Sequence, residues 1–236
     1  MKIEILYPQL CCLYGDKGNT KFLQACYPDA EFIYTELNDK PAFLQDDVDL
    51  CCMYSMSEQN QEWILSRLMQ WQAEIRDAIH GKTVFLLFGN AMELFGNYIE
   101  REDGTKVNGL GIFDVYSKRH APNRFNTLIQ AEFEGMTLFG YTSRFSDTYG
   151  ITKEQAMANV IIGSGSDPDT KLEGIYTGNV IATYLLGPLL VANPDFMKWL
   201  MVKLGADSPA LPFEQALYDS YEIRRKEFQR TDLMLD

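Results

Sequence analysis

The stretch Thr83 to Gly96, TVFLLFGNAMELFG, constrains this chain more than any other. Val84 to Phe88 is an unbroken run of aliphatic and aromatic side chains, the pattern of a short strand buried on both faces. Gly89-Asn90-Ala91 interrupts it, and Met92, Glu93, Leu94 and Phe95 read as the opening of a helix. Strand, small-residue turn and helix together make an elbow. The turn lifts one side chain above the carboxyl edge of a sheet, beside the unpaired N–H groups of the helix start. Nucleophilic chemistry at an elbow needs Cys or Ser at the apex, and this chain has Gly89 there.

The flanking sequence supplies a sheet for such an elbow. Ile3 to Tyr7, Glu31 to Thr35 and Asp49 to Tyr54 read as strands. Pro8 to Asn19 reads as a loop, followed by a helix from Lys21 to Cys26. A long helix is expected from the cap at Ser57 to Ile79, with Trp63, Ile64, Leu68, Trp71, Ile75 and Ile79 facing inward and Gly81 ending it. This alternation predicts a mostly parallel sheet covered on both faces. The second half reads differently. Gly111 to Ser117, Thr127 to Phe133, Thr137 to Tyr141 and Asn159 to Ile162 are short strand-like runs that predict antiparallel additions at the sheet edge. Val180 to Leu190 is a further apolar run. Helices are expected at Asp195 to Leu204, behind Pro194, and at Phe213 to Gln229. With 236 residues, no repeat and no low-complexity linker, the chain is expected to form one domain over 1–236.

With 33 acidic against 21 basic residues and a formal net charge of -12, the surface repels phosphate backbones and anionic membranes, which argues against nucleic-acid binding. The five cysteines, Cys11, Cys12, Cys26, Cys51 and Cys52, have no metal spacing. The two adjacent pairs, Cys11-Cys12 and Cys51-Cys52, sit in or beside apolar strand-like runs and read as buried thiols of a reducing cytoplasm. With Met1 leading directly into the run at Ile3, no signal peptide is expected, and no apolar run is long enough to span a membrane.

Few residues carry obvious chemistry. His80 reads as a helix-terminal residue beside Gly81. His120 lies in the basic stretch Lys118 to Arg124, read as a loop whose Arg119, His120 and Arg124 are candidates to grip a carboxylate or phosphate. Two histidines without a carboxylate pattern make no metal site. Gly109-Leu110-Gly111 precedes a strand-like run rather than a helix, so dinucleotide binding is rejected. Gly163 to Asp167 fits neither a serine elbow nor a phosphate loop. No cofactor is expected.

Taken together, Tyr7-Pro8-Gln9-Leu10, Leu13 to Asn19, Gly109 to Asp114, Glu173-Gly174 and Thr183 to Leu190 resemble, in the same order, the CobB/CobQ-like glutamine amidotransferases. Within that family the resemblance is nearest to the GatD-type glutaminase subunits of lipid II isoglutaminyl synthase. It implies a three-layer α/β class I glutamine amidotransferase-like (flavodoxin-like) fold. It also implies chemistry in which an elbow cysteine attacks the glutamine amide, a histidine assists, and backbone N–H groups hold the oxyanion. In GatD-type systems the ammonia passes to a Mur-ligase-like (MurT-type), ATP-dependent partner that amidates peptidoglycan precursors.

Carried over position by position, that chemistry is missing. The family elbow Cys-Gly-Gly-Tyr-Gln-Leu-Leu-Gly corresponds to Gly89 through Gly96, so the nucleophile position is Gly89 and the neighbouring glutamine has become Glu93. The family Tyr-Leu-His-Gly-Pro block is Tyr184 to Pro188, which puts Leu186 at the base position. The glycine-rich oxyanion loop falls at Tyr54-Ser55-Met56, and the family's Asn-His segment has no histidine in Thr142 to Ser146. The expectation is a non-hydrolytic, binding or regulatory relative that uses the segments Tyr14 to Asn19 and Gly187 to Leu190 to hold a partner. Two alternatives stay open. One is an active amidotransferase whose catalytic positions lie elsewhere in the chain. The other is a repurposed pocket binding a small anionic ligand, with Asn90, Glu93, Arg119, His120 and Arg124 as its candidate residues.

Overall fold

The computed structural model describes residues 1–230 and 232–233. In chain order the elements are β1 (Lys2–Leu6), α1 (Lys17–Cys26), β2 (Glu31–Thr35), β3 (Leu50–Met53), α2 (Glu58–Leu68), α3 (Gln72–Ile79) and β4 (Val84–Phe88). A 3-10 segment, Gly89–Phe95, follows. The second half contains β5 (Tyr98–Glu100), β6 (Lys106–Asn108), β7 (Tyr116–Arg119), β8 (Phe125–Phe133), β9 (Met136–Arg144), β10 (Ser146–Tyr149), β11 (Ala156–Ile162), β12 (Leu172–Thr177) and β13 (Val180–Thr183). Three helices close it: α4 (Leu189–Ala192), α5 (Pro194–Lys203) and α6 (Glu214–Glu227).

The main sheet has the order β2-β1-β3-β4-β13-β12-β11-β8-β9. From β2 to β13 all pairings are parallel, and from β13 to β9 all are antiparallel. The chain leaves β1 toward one edge through α1 and leaves β3 toward the other through α2 and α3. Right-handed crossovers therefore put these helices on opposite faces, giving three layers. All of β3 and β4 is buried, as their apolar sequences require. Of the antiparallel additions, β8, β9 and β11 lie where short strand-like runs predict them, whereas β12 lies in none of those runs.

Several local expectations are corrected. α1 begins at Lys17, not Lys21, and absorbs the end of the anticipated loop. The long helix is divided by a 3-10 turn at Met69–Trp71. Ile64, Leu68, Ile75 and Ile79 form its buried stripe, whereas Trp63, one residue off that stripe, is 51% exposed. The expected helix after the elbow is a 3-10 segment. Its last carbonyls are claimed by the next loop: Leu110 N–H donates to Leu94 O at 2.8 Å and Ile112 N–H to Phe95 O at 2.9 Å, so no further α-turn can form. The same bonds make Gly109 to Phe113 a packed loop rather than the strand read from Gly111. A Cβ on Gly109 would lie 2.2 Å from Gly96 O. Of the run Gly111 to Ser117 only Tyr116 and Ser117 are strand, and β7, Tyr116–Arg119, takes in Lys118 and Arg119 from the start of the anticipated basic loop. With β5, β6 and β10 it makes a second sheet, ordered β10-β7-β5-β6, which the sequence reading missed.

The two segments read as a partner surface pack against each other. A Cβ on Gly18 would lie 2.7 Å from the Pro188 ring, and Leu190 N–H donates to the buried Asn19 Oδ1 at 3.0 Å. Internal packing accounts for these glycines and for Pro188.

Candidate functional site

β4 delivers Gly89 to the carboxyl edge with φ +57, a conformation that favours glycine. Next to β4, β13 runs parallel and ends just before Tyr184-Leu185-Leu186. Leu186 is pinned to β9 by reciprocal bonds: its N–H donates to Tyr141 O at 2.8 Å and its carbonyl accepts from Tyr141 N–H at 3.3 Å. This fixes its side chain toward the elbow. A Cβ built on Gly89 would stand 3.7 Å from Leu186 Cδ2. The two positions assigned to nucleophile and base, distant in sequence, therefore face one another across the site.

The third wall is the segment after β3. Ser55 Oγ would lie 2.5 Å from a Gly89 Cβ, so the hydroxyl occupies the space a side chain at 89 would need. That hydroxyl is buried and, among the described residues, has no partner at good hydrogen-bond geometry, the Asp16 carboxyl being the acid nearest to satisfying it. The backbone donors of the same segment are both engaged. Ser55 N–H donates to Asp16 Oδ2 at 3.1 Å, and Met56 N–H donates to Asn90 Oδ1 at 3.0 Å. Asn90 Nδ2 returns a bond to Met56 O at 2.8 Å, clamping the elbow to this loop. Neither N–H is free for an oxyanion. The enclosed space over Gly89, between Tyr14, Ser55, Asn90, Phe145 and Leu186, is about 20 Å³. That is room for roughly one water molecule, against the several hundred Å³ typical of metabolite pockets.

Asp16, within the stretch Pro8 to Asn19 read as a loop, is a buried member of this wall. Burial drives its carboxyl up to about 7 from the ordinary 3.8, against hydrogen bonds from Ser55 and Leu13 that favour the charged form. Below pH 3.8 the group is protonated in both folded and unfolded chains. Between 3.8 and 7 the unfolded chain ionises more readily, so the Asp16 contribution to stability falls as pH rises through that window, by at most about 4 kcal/mol. Urea unfolding of the native chain and of Asp16→Asn at pH 5 and pH 8 isolates it. The native chain is expected to lose roughly 1–3 kcal/mol relative to the variant at the higher pH. An unchanged difference would contradict the assignment.

Glu93 is placed inside the protein, not on the pocket wall. It is 1% exposed, and its carboxylate accepts from Ser146 Oγ, from Tyr184 OH at 2.8 Å and from Gln61 Nε2 at 3.0 Å. Burial raises its pKa while those three bonds oppose the rise. Gln61 also donates to Asn90 O at 2.7 Å and accepts from Arg119 Nη2 at 2.7 Å, joining α2, the elbow and β7.

Of the three basic candidates Arg119 stands apart, whereas His120 and Arg124 line one open cavity of about 400 Å³ with Arg144 and Asp147, beside the elbow rather than over it. The Arg119 side chain is 6% exposed and is directed at Gln61 and Glu62, whose carboxyl is held down to about 2 by Arg101 and Arg119. His120 is directed to Asn123 O at 2.6 Å and Asp147 Oδ2 at 3.5 Å. Arg124 alone reaches the rim, bonding Tyr14 OH and Ser143 Oγ and lying 4.2 Å from the Phe145 ring centroid. Cys51 and Cys52 are fully buried in β3, which raises both thiols, Cys52 to about 12, so neither is a thiolate nucleophile near neutrality. Sequence reasoning missed Asp16, Gln61 and Arg144. Arg144 is buried between the Phe125 and Tyr184 rings, 4.9 Å from each centroid, and no local pattern marks it.

Comparisons with known proteins bear on the family and the fold. Residues 2–194 match the CobB/CobQ-like glutamine amidotransferase domain. Two curated relatives are each a lipid II isoglutaminyl synthase (glutamine-hydrolyzing) subunit GatD. The protein of Staphylococcus aureus (strain N315) is 27% identical over 220 residues, covering 91% of this chain and 88% of its own. That of Streptococcus pneumoniae (strain ATCC BAA-255 / R6) is 25% identical over 229 residues, covering 92% and 87%. Among solved structures, a glutamine amidotransferase crystal structure matches with TM-score 0.58 at 12% identity, covering 86% of this chain and 99% of its own. PurLQS from Thermotoga maritima matches with TM-score 0.54 at 12% identity, covering 95% and 98%. At such identities the structural likeness concerns the fold.

Proposed function

This chain belongs to the CobB/CobQ-like glutamine amidotransferase family, and from that premise we propose that it is a non-hydrolytic member related to GatD, acting as a binding or regulatory subunit rather than as a glutaminase. One observation carries the reading: Gly89 and Leu186 face each other where the family's cysteine and histidine are expected, over a space of about 20 Å³. Glycine has no atom that attacks an amide, and leucine cannot take a proton. The nearby backbone donors serve Asp16 and Asn90, so a tetrahedral intermediate finds no stabilisation from this loop. The curated relatives are subunits of a synthase. The proposal extends this to a Mur-ligase-like (MurT-type) partner in cytoplasmic peptidoglycan-precursor amidation. Free cysteines at Cys11, Cys51 and Cys52 suit a reducing compartment.

The test has two parts. Purified protein, alone and with a Mur-ligase-like subunit from the same host, is expected to release no ammonia from glutamine above background. Intact mass after treatment with a glutamine-mimicking electrophile is expected to be unchanged. Ammonia release, or a covalent adduct on Cys51 or Cys52, would instead establish an active amidotransferase with relocated chemistry. Recovery of a Mur-ligase-like, ATP-binding protein by pull-down from the host supports the partner; its absence separates this chain from that pathway.

A further inference from the structure

The parallel half of the sheet has a second opening, away from the elbow. β1 and β3 are neighbours, yet the chain leaves them in opposite directions, to β2 and to β4. The loops following two such strands diverge and leave a crevice at their carboxyl ends, the place where open α/β sheets hold ligands. Here that crevice is a cavity of about 220 Å³. Pro8, Cys11 and Cys12 line it from the segment after β1, Tyr54 from the segment after β3, and Tyr34 from β2. It shares no lining residue with the space over Gly89.

The remaining wall is α1. Lys17, Thr20, Lys21 and Gln24 recur at i, i+3, i+4 and i+7, so they share one helix face, and all four line the cavity. The opposite face carries Phe22 and Leu23 into the core. Thr20 Oγ1 and Tyr54 OH are hydrogen-bonded at 2.8 Å, and Gln24 Nε2 donates to Tyr34 OH at 3.0 Å. Among the described residues no Asp or Glu lines the cavity. Some lysines meet acids, as Lys2 meets Asp46, Lys40 meets Glu74 and Lys198 meets Glu214. Among the described residues Lys17 and Lys21 meet none. Two uncompensated ammonium groups side by side in a chain of net charge -12 repel one another and attract an anion.

We propose that this cavity binds a small metabolite with a compact apolar body and one carboxylate or phosphate. Lys17 and Lys21 hold the anionic group, and the body rests on Pro8, Cys12 and the Tyr54 ring. The volume, below the range of about 300–1,000 Å³ for drug-sized ligands, restricts the occupant to one small ring or short chain.

The test is titration of ¹⁵N-labelled full-length protein with benzoate, phenyl phosphate and the neutral benzyl alcohol, followed by backbone amide shifts. Benzoate or phenyl phosphate is expected to give saturable shifts centred on Gln9 to Gln24, Tyr34 and Tyr54, with a Kd of about 1 mM or tighter. Which of the two binds more tightly distinguishes carboxylate from phosphate. Benzyl alcohol, and the anions on the Lys17→Gln/Lys21→Gln variant, are expected to bind about tenfold more weakly or worse, the loss of a charge-assisted contact. Both lysines are exposed, so this variant leaves the core intact. The proposal is overturned if neither anion gives saturable shifts, if the shifts centre elsewhere, or if the double substitution leaves Kd unchanged. The result is independent of whether the elbow hydrolyses glutamine.

Discussion

Gly89→Cys is expected to yield a less stable protein with no glutaminase activity, even in combination with Leu186→His. The new Cβ meets Ser55 Oγ at 2.5 Å and Ser55 Cβ at 3.1 Å, before the sulfur is placed. The backbone must also hold a non-glycine residue at φ +57. Overpacking and left-handed strain together cost about 2–4 kcal/mol, or a fall in Tm on the order of 5–15 °C. Chemistry fails for a separate reason. A thiolate at 89 finds Ser55 N–H bonded to Asp16 and Met56 N–H bonded to Asn90. Loss of one oxyanion donor costs about 100- to 1,000-fold in rate. Recovery is expected only when Ser55→Gly opens the cavity and Asn90→Gly frees the Met56 donor in the Gly89→Cys/Leu186→His background. Ammonia above background from the single or double variant would show that the pocket is less obstructed than its geometry indicates.

The second large effect is expected from Glu93→Ala. This carboxylate holds Gln61, Ser146 and Tyr184 together; removing it leaves the buried Ser146 hydroxyl and one N–H of Gln61 without an acceptor and leaves Tyr184 OH with Thr148 alone. The disturbance extends to Arg119 through Gln61 and to Thr148, whose hydroxyl lies 2.7 Å from Tyr184 OH. Breaking such a network by deleting its centre costs about 3–5 kcal/mol. Glu93→Gln keeps the volume and one acceptor, so its cost is expected to be roughly 1–2 kcal/mol. Chemical denaturation followed by circular dichroism, with the m-value checked for two-state behaviour, measures both. If Glu93→Ala changes stability by less than about 1 kcal/mol, the network is not what joins α2, the elbow and the second sheet.

The site candidates differ in how far the sequence could place them. Gly89 and Leu186 were assignable because each sits in a block with its own local signature, the elbow after β4 and the Gly187-Pro188 turn after β13. Glu93 was visible as an acid in an apolar stretch, but its direction was not: the 3-10 winding of Gly89–Phe95 turns it inward onto Gln61. Arg119 was misread for a related reason. Basic residues in a row suggest a solvated loop, whereas β7 alternates sides and sends Arg119 inward to Glu62 and Gln61. Asp16 offered no signal, because its partner Ser55 lies on another strand's loop.

By itself the sequence determined the parallel core. Unbroken apolar runs at β3 and β4 have no other economical burial, and small-residue punctuation ends them where the sheet's carboxyl edge must be. It also determined which atoms are missing from the elbow, since residue type alone decides whether a nucleophile or base exists. The tertiary structure decided the rest: the meeting of Gly89 with Leu186, the engagement of the Ser55 and Met56 donors, the second sheet, and the cavity between α1 and the β1–β3 junction. Each of these depends on contacts between segments far apart in the chain. Such contacts form through the summed packing of the whole core, and no local pattern encodes them.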